Sequence, residues 1–319
     1  MSISLAISPC PNDTFAFDAM LNGKIDTEGL EFNYILTDIE NLNNKALNNE
    51  TDIIKLSFPT FFGLTDKYVL LHSGSALGFG CGPLLISKKE TDLRVCLKTK
   101  FSDVFTPALK GETSENLPSS RRRISDKANL QFFDESIKEI EKLKIAIPGK
   151  NTTANFLLNF AFPNAINKTE IIFSEIENAI LNNKVDAGVI IHESRFTYQK
   201  NGLKKIIDLG EYWKSKTGSP IPLGGIAVKR NLPDEIKQKI NRILKKSIEF
   251  AFANPQASYN FVKENAQQTD DEVIKKHIDL YVNKFTIDLG NEGRQAIEVF
   301  YEKMVELEFI DNNNFELFI

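Results

Sequence analysis

Leu47-Asn48-Asn49-Glu50-Thr51-Asp52-Ile53-Ile54-Lys55-Leu56-Ser57 has a counterpart further along the chain in Leu181-Asn182-Asn183-Lys184-Val185-Asp186-Ala187-Gly188-Val189-Ile190-Ile191. Each stretch reads as the end of a helix, a polar turn, an aspartate and then a buried strand. A second pair lies upstream at nearly the same offset: Ala6-Ile7 runs into the loop Ser8–Asp13, and Ala146-Ile147 runs into Pro148–Thr152. Each of these is a strand, a proline-containing loop and the start of a helix. Any two βα units can look alike by chance, but both pairs occur in the same order, so the chain reads as two similar α/β lobes. Open α/β sheets bind ligands at the carboxyl ends of their strands, where loops and helix N-termini converge. Two such lobes facing each other would make a ligand cleft.

Outward from these stretches, short apolar runs read as strands at Ser4–Ile7, Glu31–Ile35, Asp52–Leu56, Tyr68–His72, Pro83–Ser87, Lys144–Ile147, Glu170–Phe173, Asp186–Ile191 and Gly225–Lys229. Helices are expected over Asp13–Leu21, over Ile39–Leu47 behind a capping Asp38, and over Thr152–Phe162. Strands alternating with helices predict a mostly parallel sheet. Pro233–Asn254 reads as one long amphipathic helix with Ile236, Ile240, Ile243, Leu244, Ile248 and Phe252 on one face. Further helices are expected over Pro255–Asn265, Asp270–Tyr281 and Glu292–Leu307. The glycine-rich Gly74–Gly82 and the stretch Pro220–Gly225 read as crossovers between the lobes. They divide the chain into an outer lobe, 1–86 plus 224–319, and an inner lobe, 87–223. Residues 89–134 are polar and weakly patterned, and include Pro107, Gly111, Pro118 and Arg121-Arg122-Arg123. That is long for a connection within a compact domain, and it reads as an insertion on the inner lobe's surface.

The 319 residues give room for about two domains, and 42% hydrophobic with 26% charged residues is a globular balance. The net charge of −4 supplies no basic excess to hold a phosphate backbone, and the arginine triplet reads as a solvated loop. Three cysteines, Cys10, Cys81 and Cys96, are an odd number without paired spacing, which argues against a disulfide framework or a zinc knuckle. Met1–Phe17 lacks the basic and apolar regions of a signal peptide, and no apolar run reaches about 18 residues. The expectation is a cytoplasmic protein, monomer or dimer, that meets a small molecule rather than nucleic acid or a membrane.

Four segments carry candidate chemistry. In Ser8-Pro9-Cys10-Pro11-Asn12-Asp13-Thr14-Phe15, the prolines fix a loop, and Asn12, Asp13 and Thr14 can cap the next helix so that its first amides suit a carboxylate or phosphate. The alternative is a rigid turn with an ordinary cap. Cys10 has no His or Asn pattern to activate it and reads as an inert thiol. In Lys55-Leu56-Ser57, a lysine inside an apolar strand is costly unless paired or facing a wet cleft. It reads either as a cation for a substrate carboxylate, with Ser57 donating a hydrogen bond, or as an edge-strand lysine reaching water. Pro148-Gly149-Lys150-Asn151-Thr152-Thr153-Ala154 resembles the end of a phosphate loop, but Lys144 stands where the upstream glycine would fall, so it is an anion cradle without nucleotide specificity. In Ile190-Ile191-His192-Glu193-Ser194-Arg195, His192 follows an apolar strand and is either a general base or a histidine packed at the strand end. Glu193 is a second candidate base or a partner for Arg195. His72 and His277 are less well placed. Gly78-Phe79-Gly80-Cys81-Gly82 is not a dinucleotide fingerprint, because no helix opens after it, and no cluster with metal-ligand spacing occurs.

Together, Ser8–Phe15, Lys55–Ser57, Ala146–Ala154, Asp186–Tyr198 and Asp208–Ala227 resemble the signature segments of 1,4-dihydroxy-6-naphthoate synthases. The resemblance runs from the N-terminus to the C-terminal helices, including Tyr281-Val282-Asn283, and breaks only over about 89–134, where that family usually makes a short connection. It implies a two-lobed, type II periplasmic-binding-protein-like fold. It also implies a carbon–carbon lyase of menaquinone biosynthesis by the futalosine route, converting cyclic dehypoxanthinylfutalosine to 1,4-dihydroxy-6-naphthoate. By resemblance His192 is the base, and Lys55, Leu56, Ser57, Thr152, Thr153 and Ala154 contact the substrate, a small carboxylate. No metal or organic cofactor is implied. Two other readings of the same fold are a non-catalytic carboxylate-binding or sensing protein and the pathway's sister dehydratase acting on chorismate. Ser8-Pro9-Cys10-Pro11-Asn12-Asp13 argues against the dehydratase.

Overall fold

The computed structural model describes residues 1–88, 135–267, 270–312 and 315–319. The expected insertion at 89–134, with the arginine triplet and Cys96 inside it, lies outside the described residues. The chain forms two compact units: Met1–Gly82 with Gly149–Phe156 and Thr217–Ile319, and Pro83–Pro148 with Leu157–Lys216.

In the first unit, strands β1 (Ser2–Ile7), β2 (Glu31–Leu36), β3 (Ile53–Ser57), β4 (Tyr68–Leu70), β5 (Ala76–Gly78) and β11 (Ile221–Lys229) form one sheet ordered β2-β1-β3-β11-β4, with β5 also on β11. In the second, β6 (Leu84–Lys88), β7 (Ile145–Ile147), β8 (Lys168–Glu170), β9 (Ala187–Ile190) and β10 (Leu203–Asp208) are ordered β10-β6-β9-β7-β8. The described helices are α1 (Pro11–Leu21), α2 (Ile39–Leu47), α3 (Phe58–Phe62), α4 (Thr153–Ala161), α5 (Ile176–Leu181), α6 (Ser194–Thr197), α7 (Leu209–Thr217), α8 (Asp234–Ala253), α9 (Tyr259–Asn265), α10 (Asp271–Tyr281), α11 (Lys284–Ile287) and α12 (Gly290–Glu306), besides a stretch at 135–141.

The internal repeat is real in the pairing of the strands. β1 lies parallel to β3 with Leu5 opposite Ile53 and Ala6 opposite Ile54; β7 lies parallel to β9 with Ile145 opposite Ala187 and Ala146 opposite Gly188. The outer strands follow the same register, Leu5 to Tyr34 in one unit and Ile145 to Lys168 in the other. Between helix and strand, Asn49 and Asn183 both adopt a left-handed backbone, φ 57° and 55°. Asparagine tolerates that region better than most side chains. The amides after them reach back alike: Glu50 N to Lys45 O and Lys184 N to Ala179 O, 3.0 and 2.9 Å, close the helix ends. The aspartates that follow lock the neighbouring strand. Asp52 Oδ2 accepts from Ser4 N at 3.0 Å and Ser4 Oγ at 2.6 Å, and Asp186 Oδ2 accepts from Lys144 N at 2.8 Å.

The sheets are mixed rather than mostly parallel. β11 runs antiparallel to β3 with Gly225 opposite Leu56, and β6 runs antiparallel to β9 with Leu84 opposite Ile190. Both are the expected crossover strands, and each enters its sheet against the direction of the βαβ strands. All of β6 sits in the second sheet and all of β11 in the first. The unit boundaries therefore fall at 82/83 and 216/217 instead of at the expected 86/87 and 223/224, and Gly149–Phe156 groups with the first unit.

In the first unit α1 and α8 supply Ala16, Phe17, Ile240, Ile243, Leu244 and Ile248 to a core built on Ile3, Leu5, Ile7, Ile53, Ile226 and Val228. Ile236 is only partly buried there, and Phe252, expected on the same face, is exposed near the helix end and meets Phe15 edge-on at 6.1 Å. The second core gathers Leu84, Ile86, Ala146, Ile176, Ile180, Ile190 and Leu203.

The Asp52 clamp has a pH signature. Burial pushes its carboxyl up, but bonds from the Ser4 hydroxyl and amide and the charge of Lys229 outweigh this, and the net shift is down. A depressed folded value means that the stabilisation is present above the unfolded value, about 4, and is lost as pH falls through the folded one. Asp52→Ala should lower unfolding free energy by about 1–3 kcal/mol at pH 7. The gap from the parent should close as pH falls below the unfolded value, read by urea denaturation across that window. A gap independent of pH would mean that the charge is not what holds the strands.

Candidate active site

The first unit brings three of the four candidate segments together. In the first loop, Cys10 takes the cap position of α1 with Pro11 as its first residue, and no side chain caps the helix. Asp13 instead turns back into the loop, where its Oδ2 accepts from Ser8 Oγ at 2.7 Å and Ser8 N at 3.3 Å. Asn12 Nδ2 donates to Asp13 Oδ1 at 2.7 Å, and Thr14 Oγ1 donates to Cys10 O at 3.1 Å. Asp13 and Thr14 are buried, so their side chains hold the loop's shape rather than cap the helix as expected.

Lys55 lies in a strand buried along its whole length, and its Nζ sits 3.2 Å from Asp13 Oδ1 and 3.4 Å from Gly74 O. It is not at a sheet edge, since β3 lies between β1 and β11, and its charge is met by a carboxylate of the same unit. Two buried charges are stable together only with close pairing and further hydrogen bonds, which Ser8 and Asn12 supply to Asp13.

Ser57 ends β3 and stands before α3. Its amide donates to Asn43 Oδ1 at 3.2 Å, and its Oγ accepts from Asn43 Nδ2 at 3.3 Å. Because that oxygen already accepts, the serine's own proton points to some other acceptor. Opposite Ser57 in β11 is Gly224, where a Cβ would lie 2.7 Å from Leu56 O and 3.3 Å from Lys55 Cε. Only glycine lets the strand pass this close to the lysine stem.

Thr152 Oγ1 accepts from Asn155 N at 3.3 Å, the bond of an N-cap, and donates to Gly149 O at 2.7 Å. Thr153 Oγ1 donates to Leu223 O at 2.8 Å, beside Gly224. Thr60 Oγ1 in α3 donates to Asn151 O at 3.0 Å. Lys55–Ser57 and Thr152–Ala154 thus belong to one neighbourhood at the carboxyl end of β3. The first-turn amides of α4, at Thr153 and Ala154, have no partner within a helix by construction, and with the helix dipole they favour an anion. A Cβ on Gly149 would stand 2.2 Å from Glu40 Oε2, so the loop is packed down on α2.

The fourth segment lies in the second unit. His192 follows β9 after Ile191 with φ 55°, a left-handed backbone that costs a side-chain-bearing residue about 1–2 kcal/mol. Its half-buried ring meets the Phe173 ring at 5.0 Å between centroids and 61° between planes. The helix α6 starts two residues on. Arg195, in that helix, pairs with Asp208 at 2.6 Å rather than with Glu193, and Asp208 Oδ1 caps α7 through Gly210 N and Glu211 N at 3.0 and 3.1 Å. Glu193 is buried.

The other histidines serve the first unit. His277 is fully buried, with Nε2 2.9 Å from Asn12 Oδ1 and its ring 4.6 Å from that of Tyr281. His72 approaches Ile319 O and Arg294 Nη2, each at 3.1 Å; burial and then the arginine charge hold its imidazole below the ordinary histidine value. Cys10 and Cys81 are buried. Among the described residues no group of three or more His, Cys, Asp or Glu could hold a metal ion, and no helix is long and apolar enough to cross a membrane.

Sequence reasoning missed Asn43, whose signal was a polar residue between Leu42 and Ala46 on the buried side of α2, where an unpaired amide would be costly. It also missed that Asp13 answers Lys55.

This fold defines a periplasmic-binding-protein-like α/β protein, and the chain belongs to the menaquinone biosynthesis family, whose model matches residues 3–105 and 130–306. Over 296 residues it is 32% identical to a 1,4-dihydroxy-6-naphthoate synthase of Thermus thermophilus, covering 93% of this chain and 91% of that one. Over 303 residues it is 34% identical to a 1,4-dihydroxy-6-naphthoate synthase of Streptomyces coelicolor, covering 93% and 90%. The crystal structure of protein AF1704 from Archaeoglobus fulgidus superposes with a TM-score of 0.78 at 30% identity, covering 97% and 98%. The Candida albicans CA3427 product, described as having the generic periplasmic binding protein fold, superposes with a TM-score of 0.61 at 13% identity, covering 98% and 92%; that likeness is one of fold alone.

The buried pair makes a sharp test. Asp13→Asn leaves Lys55 buried without its counter-charge and should cost about 3–5 kcal/mol of stability. Lys55→Met in the same chain should recover a large part of that loss, measured by denaturant unfolding of both single variants and the double variant. Additive losses would show that the two charges do not depend on each other.

Proposed function

We propose that this protein is a cytoplasmic lyase of menaquinone biosynthesis that converts cyclic dehypoxanthinylfutalosine to 1,4-dihydroxy-6-naphthoate. The observation that carries the reading is similarity over nine-tenths of the chain to two curated synthases of that name. The local chemistry supports it. The first unit offers hydrogen-bond donors to an anion, and the second offers an imidazole at the end of a buried strand.

In this reading Ser57 donates its proton to a substrate oxygen while Asn43 holds the serine from behind. The amides of Thr153 and Ala154, fixed by the Thr152 cap, take the carboxylate. Lys55 acts through Asp13: the pair fixes the first loop, and with it the backbone of Asn12 to Thr14, against the strand that carries Ser57. His192, as the neutral imidazole, takes a proton from carbon next to a carbonyl. The electron pair left behind is delocalised toward that carbonyl, the sugar-derived part fragments, and aromatisation drives the step. The substrate is a small-molecule carboxylate, and the chemistry as written uses no metal or organic cofactor.

His192→Asn keeps a hydrogen-bonding side chain of similar size that cannot take a proton at neutral pH. It should lower turnover by about 10²–10⁴-fold, the usual size of general-base catalysis. Affinity for the naphthoate product, read by titration calorimetry, should change little. Turnover within a few-fold of the parent in a single-turnover assay would place the base elsewhere, with Glu193 the next candidate.

A further inference from the structure

We propose that Phe173 is a positioning residue for His192, an inference that rests on the reading of His192 as the base. Phe173 opens the single 3-10 turn Phe173–Glu175 that follows β8, and only 8% of its surface is exposed. Its ring stands against the imidazole at 5.0 Å and 61°, within the range of a favourable edge-on aromatic pair.

The repeat gives this contact its meaning. Tyr34 and Lys168 occupy the same register position against the first strand of each unit. Counting on from them, Asp38 and Ile39 in the first unit correspond to Ile172 and Phe173 in the second. In the first unit that position is an ordinary helix start: Asp38 Oδ1 caps α2 through Glu40 N and Asn41 N at 3.0 and 3.1 Å. In the second unit the cap is gone. Ile172 stands more than half exposed, and the helix begins only at Ile176, after the 3-10 turn. A good cap is worth about a kilocalorie per mole, so its loss alone would weaken the unit. Departures from an otherwise repeated local rule tend to fall at functional sites. What the departure supplies is an aromatic ring beside His192.

Two physical effects follow. The left-handed backbone of His192 throws its side chain out of the strand's alternation, and α6 begins only at Ser194. The Phe173 ring packed against one side restricts the imidazole's rotation, and small misplacements of a reacting group are expensive. The contact also places the imidazole in the ring current of Phe173, so the ring protons of His192 report on it.

The test is Phe173→Leu, which keeps an apolar side chain and removes the flat ring. Turnover should fall by about 10- to 100-fold, the scale of a misplaced catalytic group, with the Michaelis constant within a few-fold. The His192 ring-proton resonances, assigned among three histidines by their loss in His192→Asn, should lose the ring-current shift that Phe173 imposes in the parent. In the His192→Asn background the same substitution should cost nothing further. If Phe173→Leu unfolds the unit, Phe173→Met carries the same expectations, because methionine refills an irregular gap. Turnover within a few-fold of the parent, unmoved His192 ring-proton resonances, or an equal loss in the His192→Asn background would overturn the proposal. A small effect of His192→Asn by itself would overturn the base assignment, and the ring-proton shift reports on the Phe173 contact independently of that outcome.

Discussion

Strand register is the constraint on which the rest of this structure depends. In each unit a strand, a helix and a second parallel strand are set against each other at one alignment, Ala6 with Ile54 and Ala146 with Gly188. An aspartate at the start of the second strand holds the first by its backbone amide, Asp52 to Ser4 and Asp186 to the residue before β7. Side chains alternate along a strand, so a slip of one residue would turn every side chain to the opposite face. It would take Lys55 away from Asp13, separate Ser57 from Asn43, and move the point at which the chain leaves β9 and places His192. The candidate side chains stand at or just after strand ends, and the clamps at the strand starts decide where those ends fall.

The Lys55–Asp13 pair shows how a polar site can be built on a closed core. A lone ammonium in a strand buried on both faces would be driven to lose its proton or to break the packing. The carboxylate beside it, itself held by Ser8 and Asn12, removes that pressure, and His277 holds Asn12 in turn. The result is a continuous polar chain from α10 through the first loop to β3. It carries no net charge between Lys55 and Asp13. The groups of this unit left at that end of the sheet are backbone amides at the start of α4 and the Ser57 hydroxyl.

Much of this was legible in the sequence because it is local. The paired Asn-Asn turns, the aspartates after them and the apolar strands mark the repeat, and Asn49 and Asn183 take the left-handed turn such residues suit. Asp38 caps α2 as expected. What escaped depended on distant partners or on irregular patterning. β10 reads Leu203-Lys204-Lys205-Ile206-Ile207-Asp208, two lysines breaking the apolar run, and its pairing shifts between Lys205 and Ile207. β5 has three residues and α3 five, too short for a periodic signal. The expected strand Glu170–Phe173 falls earlier, at Lys168–Glu170, because Phe173 turns out of the strand to stand against His192. Among the candidate residues, Lys55, Ser57, Thr152 and His192 stand out in the sequence by type and place. Asn43, 14 residues from Ser57, and His277, 265 residues from Asn12, are partners that no local pattern names.

Catalysis itself is the central claim, since the same fold also serves proteins that only hold their ligand. The direct measurement is to incubate the purified chain with cyclic dehypoxanthinylfutalosine in buffer containing a chelator and follow both compounds by mass spectrometry. The account predicts that 1,4-dihydroxy-6-naphthoate appears as the substrate disappears, over many turnovers and with nothing added. A folded protein that binds the substrate and returns it unchanged would contradict the account and leave a binding protein in its place.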